Sequence, residues 1–403
     1  MSMQRGYSLK LRGIDMAMLL YLSTLLLPIV DQTLNTYLII LLTMFLNFMF
    51  VGYNIDVLKN KYTYALLLIP LISTFEDLLS GTSIILVIYR LLRKTLLVFG
   101  GLYYTMPDNK PYRKIVYNCA KIFLLITVIT SINVLQTDPY ASRIMATIGD
   151  SSDSYAITMN MKNLGGFSIV YLCVALIPFL VFELRNRKGS KLLSLFLLIG
   201  IYIYIISSAY TTALIIGTIA LIASIIIGKI ENRKTMYLVI LLMVIVIWFI
   251  RFPIADMLYS VGDSFGGIVQ NRLTYFADSL IGVENTSDAQ LRVDYYTKAW
   301  ETFLRHPIIG GFIMDDAKIS GHSIILDMMA RYGLVGIMAL IIYFKSIYEK
   351  FYKRFKYIKI NSYIFITMIV CIVLEIVNPI DTALALIFLV PIGMLSVIED
   401  AKS

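Results

Sequence analysis

Charged residues are scarce in this chain, because Asp, Glu, Lys and Arg make up 15% of its 403 residues, whereas a soluble domain has roughly 25%. Hydrophobic residues make up 59%, and the mean hydropathy is +0.79. This balance excludes an ordinary soluble globular protein. The apolar runs are about 17–25 residues long and do not alternate with polar residues, so they predict membrane-spanning helices rather than β-barrel strands.

Metal-ligating residues are also scarce, since the whole chain has two histidines and three cysteines. The cysteines fall inside predicted spans and form no CxxC pair: Cys119, Cys173 and Cys371. This pattern argues against a disulfide framework, a structural zinc site and an iron–sulfur cluster. The sequence also lacks the P-loop pattern that cradles nucleotide phosphates. We therefore expect no metal and no cofactor.

Apolar segments predict twelve helices, which would form a single polytopic membrane domain over residues 1–403. If both termini are cytoplasmic, the cytoplasmic segments hold 22 of the 35 Lys and Arg residues, external segments hold 8, and the spans hold 5. The positive-inside rule favours this orientation, and it accounts for the net charge of +9 without nucleic acid. The predicted helices lie near 14–30, 36–52, 62–79, 82–106, 115–135, 164–183, 191–207, 211–228, 235–250, 322–344, 361–377 and 380–397.

Two external segments are too long to be turns, residues 136–163 and 251–321. Long loops in a compact protein usually carry function. The longer segment contains one predicted helix, which begins at the capping-box spacing of Ser287 and Gln290 and ends at Pro307. Apolar residues recur through it at helical spacing: Val293, Tyr296, Trp300 and Phe303.

Four residues in or beside the longer external segment are candidates for a functional site: Arg272, Arg292, Arg305 and His322. Guanidinium groups always carry charge and form paired hydrogen bonds with phosphate oxygens, so converging arginines suit a diphosphate. The alternative for each arginine is a solvated loop charge. His322 has an imidazole suited to proton transfer near neutral pH.

Three further cations lie inside a predicted span, Arg90, Arg93 and Lys94, which follow the acidic pair Glu76 and Asp77. Charge at membrane depth is costly, so it lines a cavity or is paired. Two alternatives therefore remain open for Arg90. It contacts the diphosphate of a substrate, or it forms an ion pair with one of the two acidic residues.

The stretch GHSIILDMMARYGLVG follows the longer external segment. It resembles the HNxxLxxxxxxGLxG signature of the O-antigen ligase and polymerase superfamily. The matching residues are His322, Leu326, Gly333, Leu334 and Gly336. Upstream, LRVDYYTKAWETFLRHPIIGG is similar to the arginine, tryptophan and "hPllG" segment of the same family, with Arg292, Trp300, Pro307 and Gly310 on the matching positions.

Three positions depart from the family pattern. The Asn after the histidine is Ser323, and the Gly-x-Gly after the proline is replaced by Gly310-Gly311-Phe312. The Ser-Arg often found at the outer start of a middle helix is replaced by SSAYTT at residues 207–212, which removes one expected phosphate contact.

The resemblance implies an all-α integral membrane protein, a GT-C-like bundle of about twelve transmembrane helices. Residues 251–321, the extracytoplasmic loop between helices 9 and 10, would carry part of the active site. The resemblance also implies a metal-independent glycosyltransferase that uses glycans on undecaprenyl diphosphate at the outer face of the bacterial cytoplasmic membrane. A Wzy-type polymerase of O-antigen, capsule or exopolysaccharide is favoured, with a flippase and a chain-length regulator as partners. The alternatives are the ligase of the same superfamily and a lipid-linked oligosaccharide flippase.

Two residues are candidates for the catalytic base. His322 would stand in the first turn of helix ten, where the positive end of the helix dipole suits a diphosphate and keeps the imidazole neutral. Glu375, near the outer end of helix eleven, is the rival. Gly333 and Gly336 would let a neighbouring helix approach closely and fix the position of the histidine.

Overall fold

The computed structural model describes residues 11–53, 56–148, 153–185, 191–208, 210–226, 251–265, 267–281, 288–312, 321–355 and 361–400, with a few single residues between 227 and 250. Within these ranges the protein is all-helical, with no β-strand. The expected all-α class is therefore confirmed for the part of the chain that is described.

The α-helices of the described residues are numbered in chain order. They are α1 (Gly13–Leu26), α2 (Pro28–Thr33), α3 (Thr36–Tyr53), α4 (Asp56–Lys59), α5 (Lys61–Leu79), α6 (Ile84–Tyr104), α7 (Lys110–Thr137), α8 (Ala141–Ile148), α9 (Ser154–Met161), α10 (Phe167–Arg185), α11 (Lys191–Ser207), α12 (Thr211–Ile226), α13 (Arg251–Phe265), α14 (Gly267–Ile281), α15 (Asp288–Arg305), α16 (Ile324–Ile347), α17 (Asn361–Val377) and α18 (Val390–Asp400). Two π-helical segments, Tyr348–Tyr352 and Leu384–Leu389, extend α16 and precede α18.

Helices occupy eleven of the twelve segments that apolar runs predict, and the other, 235–250, lies outside the described residues. Five helical stretches are long and apolar enough to cross a membrane: Thr36–Tyr53, Lys61–Leu79, Pro107–Thr137, Phe167–Arg185 and Ile324–Phe355. Shorter apolar helices occupy Gly13–Leu26, Lys191–Ser207, Thr211–Ile226, Asn361–Val377 and Leu384–Ile398.

The longer external segment holds more structure than its sequence predicts. The expected helix is α15, which starts at Asp288; its capping residue Ser287 lies outside the described residues. Two further helices, α13 and α14, precede it and pack mainly against each other. Tyr259 of α13 donates a hydrogen bond to Asp278 of α14, so this hairpin is held by its own polar contacts.

The bundle is organised around α10, whose side chains are buried on every side from Ile169 to Glu183. A helix that is apolar all round belongs in the centre of a bundle, and α10 packs against α11, α12 and α17. Near its end it carries a buried ion pair, with Lys121 of α7 lying 3.2 Å from Glu183. Tyr117 and Ser194 donate to the same carboxylate over 2.9 and 2.8 Å, so α7, α10 and α11 share one polar contact.

The buried pair gives a prediction about stability. Lys121→Met leaves the Glu183 carboxylate without its cation and should lower the free energy of unfolding by about 3 kcal/mol. The double variant Lys121→Met/Glu183→Gln should recover most of this loss, because glutamine is neutral. Thermal unfolding in detergent, with the exposed Lys162→Met as the control, measures both effects. Equal losses in the single and double variants would contradict the account.

Candidate functional site

Helix α16 is broken at Gly333, which adopts φ 59° and ψ −140°. The backbone groups freed by this break bind the segment that follows α15, residues 307–312. Two N–H groups of this segment donate hydrogen bonds to carbonyls of α16 before the break. Two N–H groups of α16 after the break donate to carbonyls of the segment. The four bonds run from Gly311 N to Ala330 O (2.8 Å), Phe312 N to Arg331 O (3.2 Å), Leu334 N to Pro307 O (2.8 Å) and Val335 N to Ile308 O (3.3 Å).

Glycine is required on both sides of this contact. Gly310 has φ 75°, and a Cβ there would lie 2.1 Å from the carbonyl of Arg331. A Cβ on Gly333 would lie 2.6 Å from the carbonyl oxygen of Pro307. Any L side chain would therefore combine backbone strain with a clash. The HPIIGG and GLVG motifs are the two halves of one interaction.

This geometry corrects the expectation for the two glycines of the signature. They were expected to admit a neighbouring helix, but Gly333 faces the external segment itself. A Cβ on Gly336 would lie 2.4 Å from the carbonyl oxygen of Met328, within the same helix. The break at Gly333 brings Gly336 close to the backbone of Met328, so the close contact of Gly336 lies within α16 and not against a neighbouring helix.

The expected position of His322 is also wrong. Helix α16 begins at Ile324, and Ser323 is its N-cap, whose hydroxyl accepts a hydrogen bond from Leu326 N over 3.1 Å. His322 therefore precedes the cap instead of standing in the first turn. Its half-exposed ring lies 5.2 Å from the ring of Tyr295 on α15, centroid to centroid.

The half of α16 before the break borders a cavity of about 280 Å³. Ile324, Asp327, Met328 and Arg331 line it at helical spacing, which makes one face of this half-helix a wall. The half-helix runs from the C-terminal end of α17, where Ser323 Oγ donates to Glu375 O over 3.4 Å, to α5. The other walls come from α5, α6, α17, the second half of α16 and residues 381–387, at the start of the final helix, which continues as α18.

Glu76 of α5 binds two side chains at the end of the half-helix. Arg331 forms an ion pair with this carboxylate, and the hydroxyl of Tyr332 donates to its other oxygen over 2.5 Å. Both donors adjoin the break at Gly333. The break therefore directs two consecutive side chains toward α5, where Glu76 binds both.

The remaining cavity carboxylates also accept hydrogen bonds. Glu375 is 5% exposed, and its Oε1 accepts from the Thr382 hydroxyl over 2.5 Å and from Thr382 N over 3.4 Å. Asp381 accepts from Ala383 N over 2.8 Å, at the start of the final helix. Asp327 accepts from Gly321 N over 3.1 Å. Among the sequence candidates whose side chains are described, Glu375 is the one that lines the cavity, and its carboxylate is held by Thr382.

Arg90 forms an ion pair with Asp77, with 2.8 Å between Nη1 and Oδ1. The ion-pair alternative is confirmed for this residue, with Asp77 as the partner. The guanidinium is 49% exposed and is not among the residues that line the cavity.

The three loop arginines are spread along two helices. Arg305 is the last residue of α15, exposed and next to the segment that binds α16. Arg272 lies on α14 and Arg292 on α15, but their side chains lie outside the described part of the structure. Arg292 comes one turn before Tyr296, whose hydroxyl donates to Val377 O at the end of α17 over 3.2 Å. The backbone of α15 thus brings the position of Arg292 near the C-terminal end of α17.

The described residues give little support to two other kinds of site, a metal site and a hydrolase nucleophile. No group of three His, Cys, Asp or Glu side chains among them could hold a metal ion. Residues 262–266 have the sequence GDSFG, which matches the GxSxG pattern of hydrolase nucleophiles. In those enzymes the serine stands on a strand-to-helix turn, whereas Ser264 lies within α13 and donates to Ser260 O over 2.9 Å.

The contact at the break predicts a specific sensitivity to side chains. Gly333→Ala should lower the free energy of unfolding by about 1–3 kcal/mol, because alanine is strained at this positive φ. Gly310→Ala should act in the same way. Gly52→Ala is the matched control, since nothing lies within 4 Å of a Cβ there. Thermal unfolding and limited proteolysis measure the effect, and three variants of equal stability would show that α16 is not broken.

No protein-family model matches this chain, and no curated protein matches it. The cavity beneath the half-helix is therefore the basis for assigning a function. Its lining combines two hydrogen-bonded carboxylates, Glu76 and Glu375, with apolar side chains.

Proposed function

We propose that this protein is a membrane-embedded glycosyltransferase of the O-antigen ligase and polymerase superfamily, acting as a Wzy-type polysaccharide polymerase. In this reaction it transfers a growing glycan from undecaprenyl diphosphate onto the terminal sugar of a lipid-linked repeat unit. The product is an O-antigen, capsule or exopolysaccharide chain. The donor and acceptor are both lipid-linked oligosaccharides.

The observation that carries this proposal is the polarity of the cavity. Its charged side chains gather around the half-helix of α16, near the ends of α5 and α17. Apolar side chains also line it, among them Leu66, Val98 and Ile387. Leu66 on α5 and Val98 on α6 lie farther from the turn between these two helices than Glu76 and Lys94 do. A ligand with a charged head and a hydrocarbon chain matches such a cavity. The half-helix lies within the stretch that carries the family resemblance, residues 321–336, and the cavity is lined by other positions of that stretch, Ile324, Asp327, Met328 and Arg331.

Glu375 is the proposed base. The acceptor hydroxyl attacks the anomeric carbon of the donor, and its proton passes to the Glu375 carboxylate. The new glycosidic bond forms as the bond to the lipid diphosphate breaks, and undecaprenyl diphosphate leaves with the electron pair. Cationic side chains stabilise the charge on this leaving group in the role that a metal has elsewhere. His322, outside the cavity and against Tyr295, orients the acceptor sugar.

The proposal includes a location and an architecture. Twelve spans form a GT-C-like bundle in the bacterial cytoplasmic membrane with both termini cytoplasmic, and residues 251–321 form the external loop that completes the site. A flippase supplies the repeat units, and a chain-length regulator acts on the product. The asymmetry of basic residues, 22 cytoplasmic against 8 external, supports this orientation.

A test of the proposed roles compares Glu375→Gln with His322→Ala in cells that make the polymer. Glutamine cannot accept the proton, so Glu375→Gln should reduce polymer by about a hundredfold or more. His322→Ala should retain more polymer than Glu375→Gln. Gel analysis of the polysaccharide measures the products, at matched protein levels and with Lys162→Gln as the control.

The accumulated intermediate separates the proposal from its alternatives. A polymerase defect leaves single lipid-linked repeats at the outer face of the membrane. A ligase defect leaves long lipid-linked polymer, and a flippase defect leaves single repeats at the inner face. Wild-type polymer from Glu375→Gln would remove the carboxylate from the mechanism.

A further inference from the structure

Lys94 is a charged side chain of the cavity with an incomplete set of partners. It lies on α6, is half-buried and lines the cavity. Its Nζ donates to the hydroxyl of Ser73 on α5 over 3.0 Å. An ammonium group has three N–H donors. Among the described residues, the hydrogen-bond partner of the Lys94 ammonium is this neutral hydroxyl. No described carboxylate forms an ion pair with it.

The carboxylates of the same cavity are held by other groups. Glu76 binds Arg331 and Tyr332, and Glu375 binds Thr382. Asp327 and Asp381 accept hydrogen bonds from backbone N–H groups. A cation that is partly withdrawn from water inside a helix bundle is stabilised by an anion. The geometry therefore leaves a place for an anionic group at Lys94.

The position of Lys94 bears on which anion would fit. Its partner Ser73 lies three residues before Glu76, the partner of Arg331, which is about 4.5 Å along the axis of α5. Lys94 and Arg331 thus bind neighbouring positions of α5. A ligand with two linked phosphate groups offers an anionic group to each of these two cations. Beyond Lys94 the cavity wall is apolar, with Leu66, Ile69 and Leu340.

We propose that Lys94 binds the phosphate of a lipid headgroup whose hydrocarbon chain occupies the apolar end of the cavity. The inference rests on the proposed function and extends it, because it gives the lipid diphosphate of the donor a binding residue inside the bundle. Sequence patterns had assigned this role to Arg90 and the loop arginines. A polyprenyl diphosphate and a glycerophospholipid share the required chemistry, and the experiment distinguishes them.

Binding of radiolabelled undecaprenyl diphosphate to the purified protein in phosphatidylcholine nanodiscs tests the proposal. Lys94→Gln keeps the size of the side chain and removes its charge, so the affinity should fall by about tenfold or more. Lys94→Arg keeps the charge and should bind more tightly than Lys94→Gln. The matched control is Lys162→Gln, which removes an exposed lysine outside the cavity and should bind like wild type.

Competition identifies the source of the phosphate. Unlabelled undecaprenyl diphosphate should displace the probe at lower concentration than phosphatidylglycerol or inorganic diphosphate. Displacement by phosphatidylglycerol at equal concentration would assign the cavity to bulk phospholipid and overturn the extension to the donor. Equal affinities of wild type and a folded Lys94→Gln would overturn the binding role of Lys94.

A second variant keeps the proposal testable if Lys94→Gln does not fold. Ile69→Trp fills the apolar end of the cavity while Lys94 stays in place, and it should weaken binding of the prenyl chain. Unchanged binding in this variant would contradict the proposal. The assay contains no acceptor sugar, so its result is independent of whether the protein transfers glycans.

Discussion

The interruption of α16 requires replacement partners for its backbone, because buried N–H and C=O groups are costly to leave without hydrogen bonds. Residues 307–312 supply these partners through four backbone bonds on both sides of Gly333. The direction of the half-helix, and with it the wall of the cavity, depends on this exchange. So does the orientation of Arg331 and Tyr332 toward Glu76.

Much of the helical architecture could be predicted from apolar runs, since a long run has few alternatives to a buried or lipid-facing helix. Helices α13 and α14 could not, because they are short and mixed in composition and their stability comes from packing on each other. His322 lies two residues before the helix in which it was expected, because Ser323 caps α16. A serine directly before the apolar run that starts at Ile324 is a typical N-cap, so this start could have been predicted from the sequence. The contact between Gly310 and Arg331 joins residues far apart in sequence, and periodicity carries no information about such pairs.

The ion pairs also join residues on different helices, which sequence patterns do not reveal. Arg331 of α16 has a partner on another helix, because the fold brings Glu76 of α5 to its guanidinium. The acidic pair Glu76 and Asp77 is divided between two cations, because adjacent residues on a helix point in different directions. Glu375 was identifiable in the sequence as a carboxylate inside an apolar run, which is a costly position. Its support by Thr382 depends on the turn between α17 and the final helix.

The central claim is that a lipid-linked substrate binds beneath the half-helix of α16. The most direct measurement is an electron cryo-microscopy structure of the protein in a nanodisc with an undecaprenyl-diphosphate-linked repeat unit. The account predicts phosphate density between Arg331 and Lys94, with the anomeric carbon toward Glu375 and α16 broken at Gly333. A continuous α16, or a lipid headgroup bound outside this cavity, would contradict it.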